Sequence, residues 1–116
     1  MKGFIIKRIY QSYTPQDGYR VLVDRLWPRG ISKEHAKINR WSKELAPSTK
    51  LRKWFNHIDE RFDQFAENYK KELQEHIGEL EELKEIATHT QVCLLYGAKN
   101  EVHNQAVVLK SVLEGL

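Results

Sequence analysis

A chain of 116 residues is long enough for one domain with its own hydrophobic core, and it needs neither disulfides nor a structural metal to hold it. Apolar residues make up 41% and charged residues 30%, ordinary values for a globular domain, and no stretch approaches the ~18 consecutive apolar residues of a membrane span. The net charge of +3 is small but hides a segregation. Residues 1–58 carry 13 Lys or Arg against 4 Asp or Glu, residues 59–90 carry 4 against 10, and residues 91–116 carry 2 against 2. Such a pattern fits an anion-binding face, and it equally fits an acidic helical segment laid over a basic half.

The start, "MKGFIIKRIYQ", has too short an apolar run for a signal peptide and alternates like a strand. "FIIKRIY" (4–10) reads as a first strand and "YRVLVDRL" (19–26) as a second, separated by the turn residues Pro15, Asp17 and Gly18. Pro28 and Gly30 stop the second strand. Ser32 is a candidate cap for a short helix over "KEHAKI", and Ser48 for another over "TKLRKWFNH". The intervening "NRWSKELAPS" reads either as a short strand or as irregular structure.

Phe62, Phe65, Ala66, Tyr69, Leu73 and Ile77 recur at spacings of three and four, which predicts one apolar helical stripe. Gly78 interrupts it, so a hairpin or a kinked pair of helices is expected. "QVCLLYGA" (91–98) is a buried strand, and its Cys93 is the chain's only cysteine, a buried thiol rather than a nucleophile. A last helix follows directly over 101–116, with Val102, Ala106, Leu109 and Leu113 facing inward. No repeat, linker or low-complexity segment divides the chain. The expectation is a single α/β domain over 1–116 with a mostly parallel sheet covered by helices on both faces, in a cytoplasmic protein.

In such sheets ligands sit beyond the carboxyl ends of the strands. Two polar clusters fall there: "DRLWPRG" after the second strand and "YGAKNEVHN" after the last. Asp24 and Arg25 should face opposite sides, one toward the site and one into a supporting salt bridge. Arg29, beyond Pro28, can take two oxygens of a phosphate or carboxylate. Trp27 either stacks on a flat ligand or packs in the core. Asn100 is the expected N-cap of the last helix, which puts His103 and Asn104 in its first turn beside an anion-binding helix end. Lys43 and Arg52 lie between the clusters as further cations. His57 and Asp59 are too few to make a metal site, and no phosphate-loop, nucleophile-elbow or zinc spacing is present. No cofactor or metal is expected.

The stretches "VDRLWPRGISKE", "WSKELAPSTKLRKWFNH" and "LLYGAKNEVHNQAVVLK" resemble the YeaO-like branch of bacterial domain-of-unknown-function family 488, a likeness that covers essentially the whole chain. The family's motif positions fall on Asp24, Arg25, Trp27, Pro28, Arg29, Gly30, Lys43, Ser48, His57, Tyr96, His103 and Asn104. Broader relatives carry Cys-His-Arg where this chain has Val102, His103 and Asn104, so thiol or arginine chemistry of those relatives does not carry over. The resemblance implies a site and no particular reaction.

The leading expectation is a pocket for a small anionic molecule, with hydrolase or transferase activity left open. His103 and Asp24 would be its catalytic pair, and Arg25, Trp27, Arg29, Lys43, Arg52, Tyr96, Asn100 and Asn104 would bind the ligand. The alternative is a nucleic-acid-binding or regulatory module that stacks bases on Trp27, Trp41 and Trp54 amid the basic half. Oligomeric state is left open.

Overall fold

A computed structural model describes residues 3–116. Four strands form one parallel sheet in the order β1-β4-β2-β3: β1 Phe4–Arg8, β2 Tyr19–Leu22, β3 Arg40–Trp41 and β4 Val92–Tyr96. Five α-helices accompany them: α1 Lys33–Ala36, α2 Thr49–Phe55, α3 Phe62–Leu73, α4 Ile77–His89 and α5 Gln105–Glu114. Ser32 and Ser48 cap α1 and α2 through their hydroxyls, accepting from His35 N and Leu51 N. Both caps are local events that the sequence announces.

Strand alternation sorts the core into two layers. Val21, Val23, Val92, Leu94 and Tyr96 point to one face, under α2 to α5. Leu22, Cys93 and Leu95 point to the other, where Ala36 of α1 and the partly buried Trp27, Ile31, Ile38 and Trp41 cover them. Both faces are covered, as expected, but unequally: the thin side has a four-residue helix and loops. β4 is buried along its whole length, which is why it reads as a continuous apolar run.

The acidic middle breaks at Gln74–His76, a single 3-10 turn, and Gly78 lies inside α4 rather than at the break. The tighter turn lets α3 pack on α2 and α5 while α4 settles on β4 and α5. Part of this acidic segment does cover the basic half: Arg40 pairs with Glu79 at 3.2 Å and Glu82 at 3.1 Å. Among the described residues, no helix is long and apolar enough to cross a membrane.

One consequence of the topology positions the site. β2 and β4 are neighbours with Leu22 opposite Leu95. After β2 the chain leaves toward the thin face, where Ala36 packs; after β4 it leaves toward the other, where Ala106, Leu109 and Leu113 pack. Two adjacent parallel strands whose exits diverge leave a crevice at their carboxyl ends.

Candidate functional site

The crevice is floored by Asp24. The ladder continues past β2 with Val23 N donating to Leu95 O at 3.0 Å, which sets Asp24 beside Gly97. Gly97 N donates to Asp24 Oδ2 at 2.9 Å, and the Gln105 side-chain amide donates to Oδ1. The approach favours glycine, because a Cβ on residue 97 would stand 2.7 Å from Asp24 Oδ2 and the carboxylate would have to shift. Burial pushes the Asp24 carboxyl up to about 6, against the opposing pull of the Gly97 N–H, the Gln105 amide and the Arg52 charge.

Arg25 lies past the end of β2 and lines the same cavity as Asp24, and no salt bridge receives it. Its guanidinium donates to the carbonyls of Pro47 at 2.8 Å and Ala46 at 3.1 Å, fastening the segment that leads into α2. Trp27 is a packing residue: its indole N–H donates to Ile31 O at 2.6 Å and its ring meets Trp41 edge-on at 5.2 Å. Trp41 in turn donates to Asp24 O at 2.7 Å. The loop then turns at Gly30, whose φ of 75° suits glycine, and Tyr10 pins it by donating to Arg29 O at 2.9 Å. The Arg29 side chain is left exposed.

The second cluster differs from its expected form. Asn104, not Asn100, is the N-cap of α5, its side chain accepting from Val107 N at 3.1 Å. Asn100 instead closes an Asx turn, accepting from Val102 N and His103 N at 2.9 and 2.8 Å. The helix therefore starts four residues later than expected, Val102 is 67% exposed instead of facing inward, and His103 precedes the helix. His103 pairs with Asp59 rather than with Asp24: Nδ1 and Oδ1 lie 3.2 Å apart, and the ring stacks on Phe62 at 4.5 Å. Asn100 donates to the same carboxylate oxygen at 3.0 Å.

Between the clusters lies a cavity of about 400 Å³ whose wall includes Asp24, Arg25, Trp27, Arg29, Arg52, His103 and Asn104. Three expected site residues are not in that wall. Lys43 holds its ammonium over the Trp41 ring at 4.4 Å. Tyr96 is buried in the core, where burial and the Glu101 charge raise its pKa. Asn100 braces the turn. The wall also includes residues not expected as ligand contacts, among them Tyr10, Phe55, His57 and Gln105. Gln105 follows the true cap directly and was hidden by the misplaced helix start. His57 follows Asn56 in the left-handed region, at φ values of 56° and 46°, a conformation that the sequence around it does not announce.

Residues 4–116 match the family model described as the inactive DUF488-N3 subclade. The chain belongs to the YeaO-like DUF488 family. An Escherichia coli relative named "Uncharacterized protein YeaO" is 46% identical over 110 residues, which span 95% of this chain and 96% of that one. The Mycobacterium tuberculosis "Uncharacterized protein Rv3073c" is 39% identical over 110 residues, spanning 95% and 92%. No solved structure matches the chain.

In this DUF488 chain the wall's polar groups divide into spent and free. Trp27, Arg25, Tyr10 and Asn104 already donate to carbonyls within the fold. The ion pairs among the described residues draw on Lys7, Arg20, Arg40, Lys70, His89, His103 and Lys110, leaving Arg29 and Arg52 outside them. No serine, threonine, cysteine or lysine lines the cavity. Cys93 lies in the opposite core layer, where burial pushes its thiol up to about 11. Among the described residues no group of three His, Cys, Asp or Glu side chains is placed to hold a metal ion.

Proposed function

We propose that this DUF488-N3 chain binds a small phosphate- or carboxylate-bearing molecule in the cavity between the β2 and β4 exits, without covalent turnover. The observation that carries the reading is that two guanidiniums free of ion pairs, Arg29 and Arg52, stand at the wall of one cavity with His57 and His103. Arginine recognises planar or tetrahedral oxyanions through paired N–H groups. A volume of about 400 Å³ falls within the roughly 300–1,000 Å³ of small-molecule sites.

Three features favour binding over hydrolase or transferase chemistry. The matched subclade is described as inactive. Val102 stands where broader relatives carry cysteine, and its side chain is exposed rather than turned into the cavity. The wall offers no hydroxyl or thiol nucleophile of serine, threonine or cysteine. Of the three tryptophans of the nucleic-acid alternative, Trp27 and Trp41 pack against each other with both indole N–H groups bonded, and Trp54 is exposed with the Arg61 guanidinium over its ring. A buried free thiol suits a reducing cytoplasm, the compartment we assign.

Titration calorimetry with inorganic phosphate and small carboxylates tests the reading. Arg29→Ala and Arg52→Ala should each weaken binding about tenfold, a loss of roughly 1.4 kcal/mol. Anion affinity unchanged in the double variant would remove this proposal. Steeply salt-dependent binding of single-stranded DNA or RNA, with no small-anion binding, would replace it with the nucleic-acid reading.

A further inference from the structure

The cavity wall has two kinds of unsatisfied capacity, and they are opposite. Arg29 and Arg52 can only donate. Asp24 can only accept while it is ionised; Gly97 and Gln105 each occupy one position on its two oxygens, and a carboxylate has about four. A ligand that is only an anion would satisfy the guanidiniums but would bring its charge toward the Asp24 carboxylate. It would also cover that carboxylate without giving it a donor, and a covered acceptor left without a partner opposes binding. Phe55, Phe65, Trp27 and Pro28 add apolar surface to the same wall.

We infer that the ligand is a zwitterion with an apolar body, its anionic group on Arg29 and Arg52 and a protonated amine on Asp24. This inference rests on the anion-binding reading and names the ligand class for that same site. An amine is favoured over a hydroxyl because Asp24 receives only neutral donors from its own fold, the Gly97 N–H and the Gln105 amide. A cationic donor strengthens the hydrogen bond and compensates the carboxylate charge. Consistent with this, burial raises the Asp24 pKa to about 6 in the absence of such a donor. The aromatic wall then takes the body of the ligand, as apolar walls do in small-molecule sites.

Calorimetry at pH 7.5 with four matched probes decides it: L-phenylalanine, L-phenyllactate, 3-phenylpropionate and phenethylamine. The expected result is that phenylalanine binds about tenfold or more tightly than each of the other three. Asp24→Asn should shrink its advantage over phenylpropionate to less than about threefold. Equal or tighter binding of phenyllactate or phenylpropionate overturns the inference, as does an advantage that survives in Asp24→Asn. If those anions bind and lose affinity in Arg29→Ala without any amine preference, the zwitterion inference fails while the anion pocket stands. Binding of none of the four probes, or of phosphate, removes both. Should Asp24→Asn fail to fold, the four-probe ranking on the unaltered protein still decides the inference.

Discussion

Strand β2 is flanked by two aspartates in opposite electrostatic states. Asp17, before the strand, is buried and accepts from Lys7 Nζ at 3.0 Å, Thr14 Oγ1 at 2.9 Å and Arg20 Nη1 at 2.5 Å. Burial alone would raise its pKa, but the hydrogen bonds from Lys7, Thr14 and Arg20 outweigh it and hold the carboxyl below its ordinary value. Asp24, after the strand, receives two neutral donors, and burial wins. The amino end is a closed cluster: buried Arg20 also donates to Lys37 O and Ala36 O, so its charge and donors are used inside the fold. The carboxyl end is left open beside a cavity. A buried charge completed by the fold is structural, and one left incomplete at a cavity is a candidate for completion by a ligand.

The largest effect should come from breaking the closed end. Arg20→Ala would leave Asp17 with Lys7 and Thr14 only and take the donor from the Ala36 and Lys37 carbonyls, and should cost about 2–3 kcal/mol in chemical denaturation. A loss under about 1 kcal/mol would mean that the cluster is not structural. Next, Gly97→Ala would displace the Asp24 carboxylate from its backbone donor and should cost about 1–2 kcal/mol, read in the same experiment.

The pH dependence of unfolding separates the two aspartates by sign. Asp24 has a folded pKa near 6 against about 4 unfolded, so its contribution is most favourable below pH 4 and declines as pH rises through 6. With allowance for partial exposure, that decline is about 1–2 kcal/mol, and Asp24→Asn should abolish it. Asp17 runs the other way: its stabilisation is present above its unfolded pKa and is lost as pH falls through its lowered folded value. Identical pH profiles for Asp24→Asn and the unaltered protein would erase the contrast. The smallest effect is expected at the exposed Asp59–His103 pair, where Asp59→Ala should change stability by less than about 1 kcal/mol. A larger loss would make the pair a structural element of the cavity wall.

Local signals were legible without coordinates. Ser32 and Ser48 cap where hydroxyl placement before a helical pattern says they should, and the apolar runs of β2 and β4 mark a parallel sheet. The expected opposition of Asp24 and Arg25 did not follow, because β2 ends at Leu22 and both residues line the cavity. The choice between Asn100 and Asn104 did not follow, because either asparagine can cap a helix or close an Asx turn. Chain direction after β4 decided between them. The partner of His103 was equally hidden, since Asp59 is 44 residues away and reaches it through the loop before α3.

Periodicity, capping residues and strand composition determined that this chain makes an α/β domain whose polar clusters lie beyond strand ends. Tertiary structure decided which of those residues share a cavity. It put Arg29, Arg52, Asp24 and His103 on one wall, and gave Lys43, Asn100 and Tyr96 to packing and turn geometry. The physical reason is range: propensity and alternation act over a few residues. Whether a buried polar group finds a partner depends on backbone that arrives from tens of residues away.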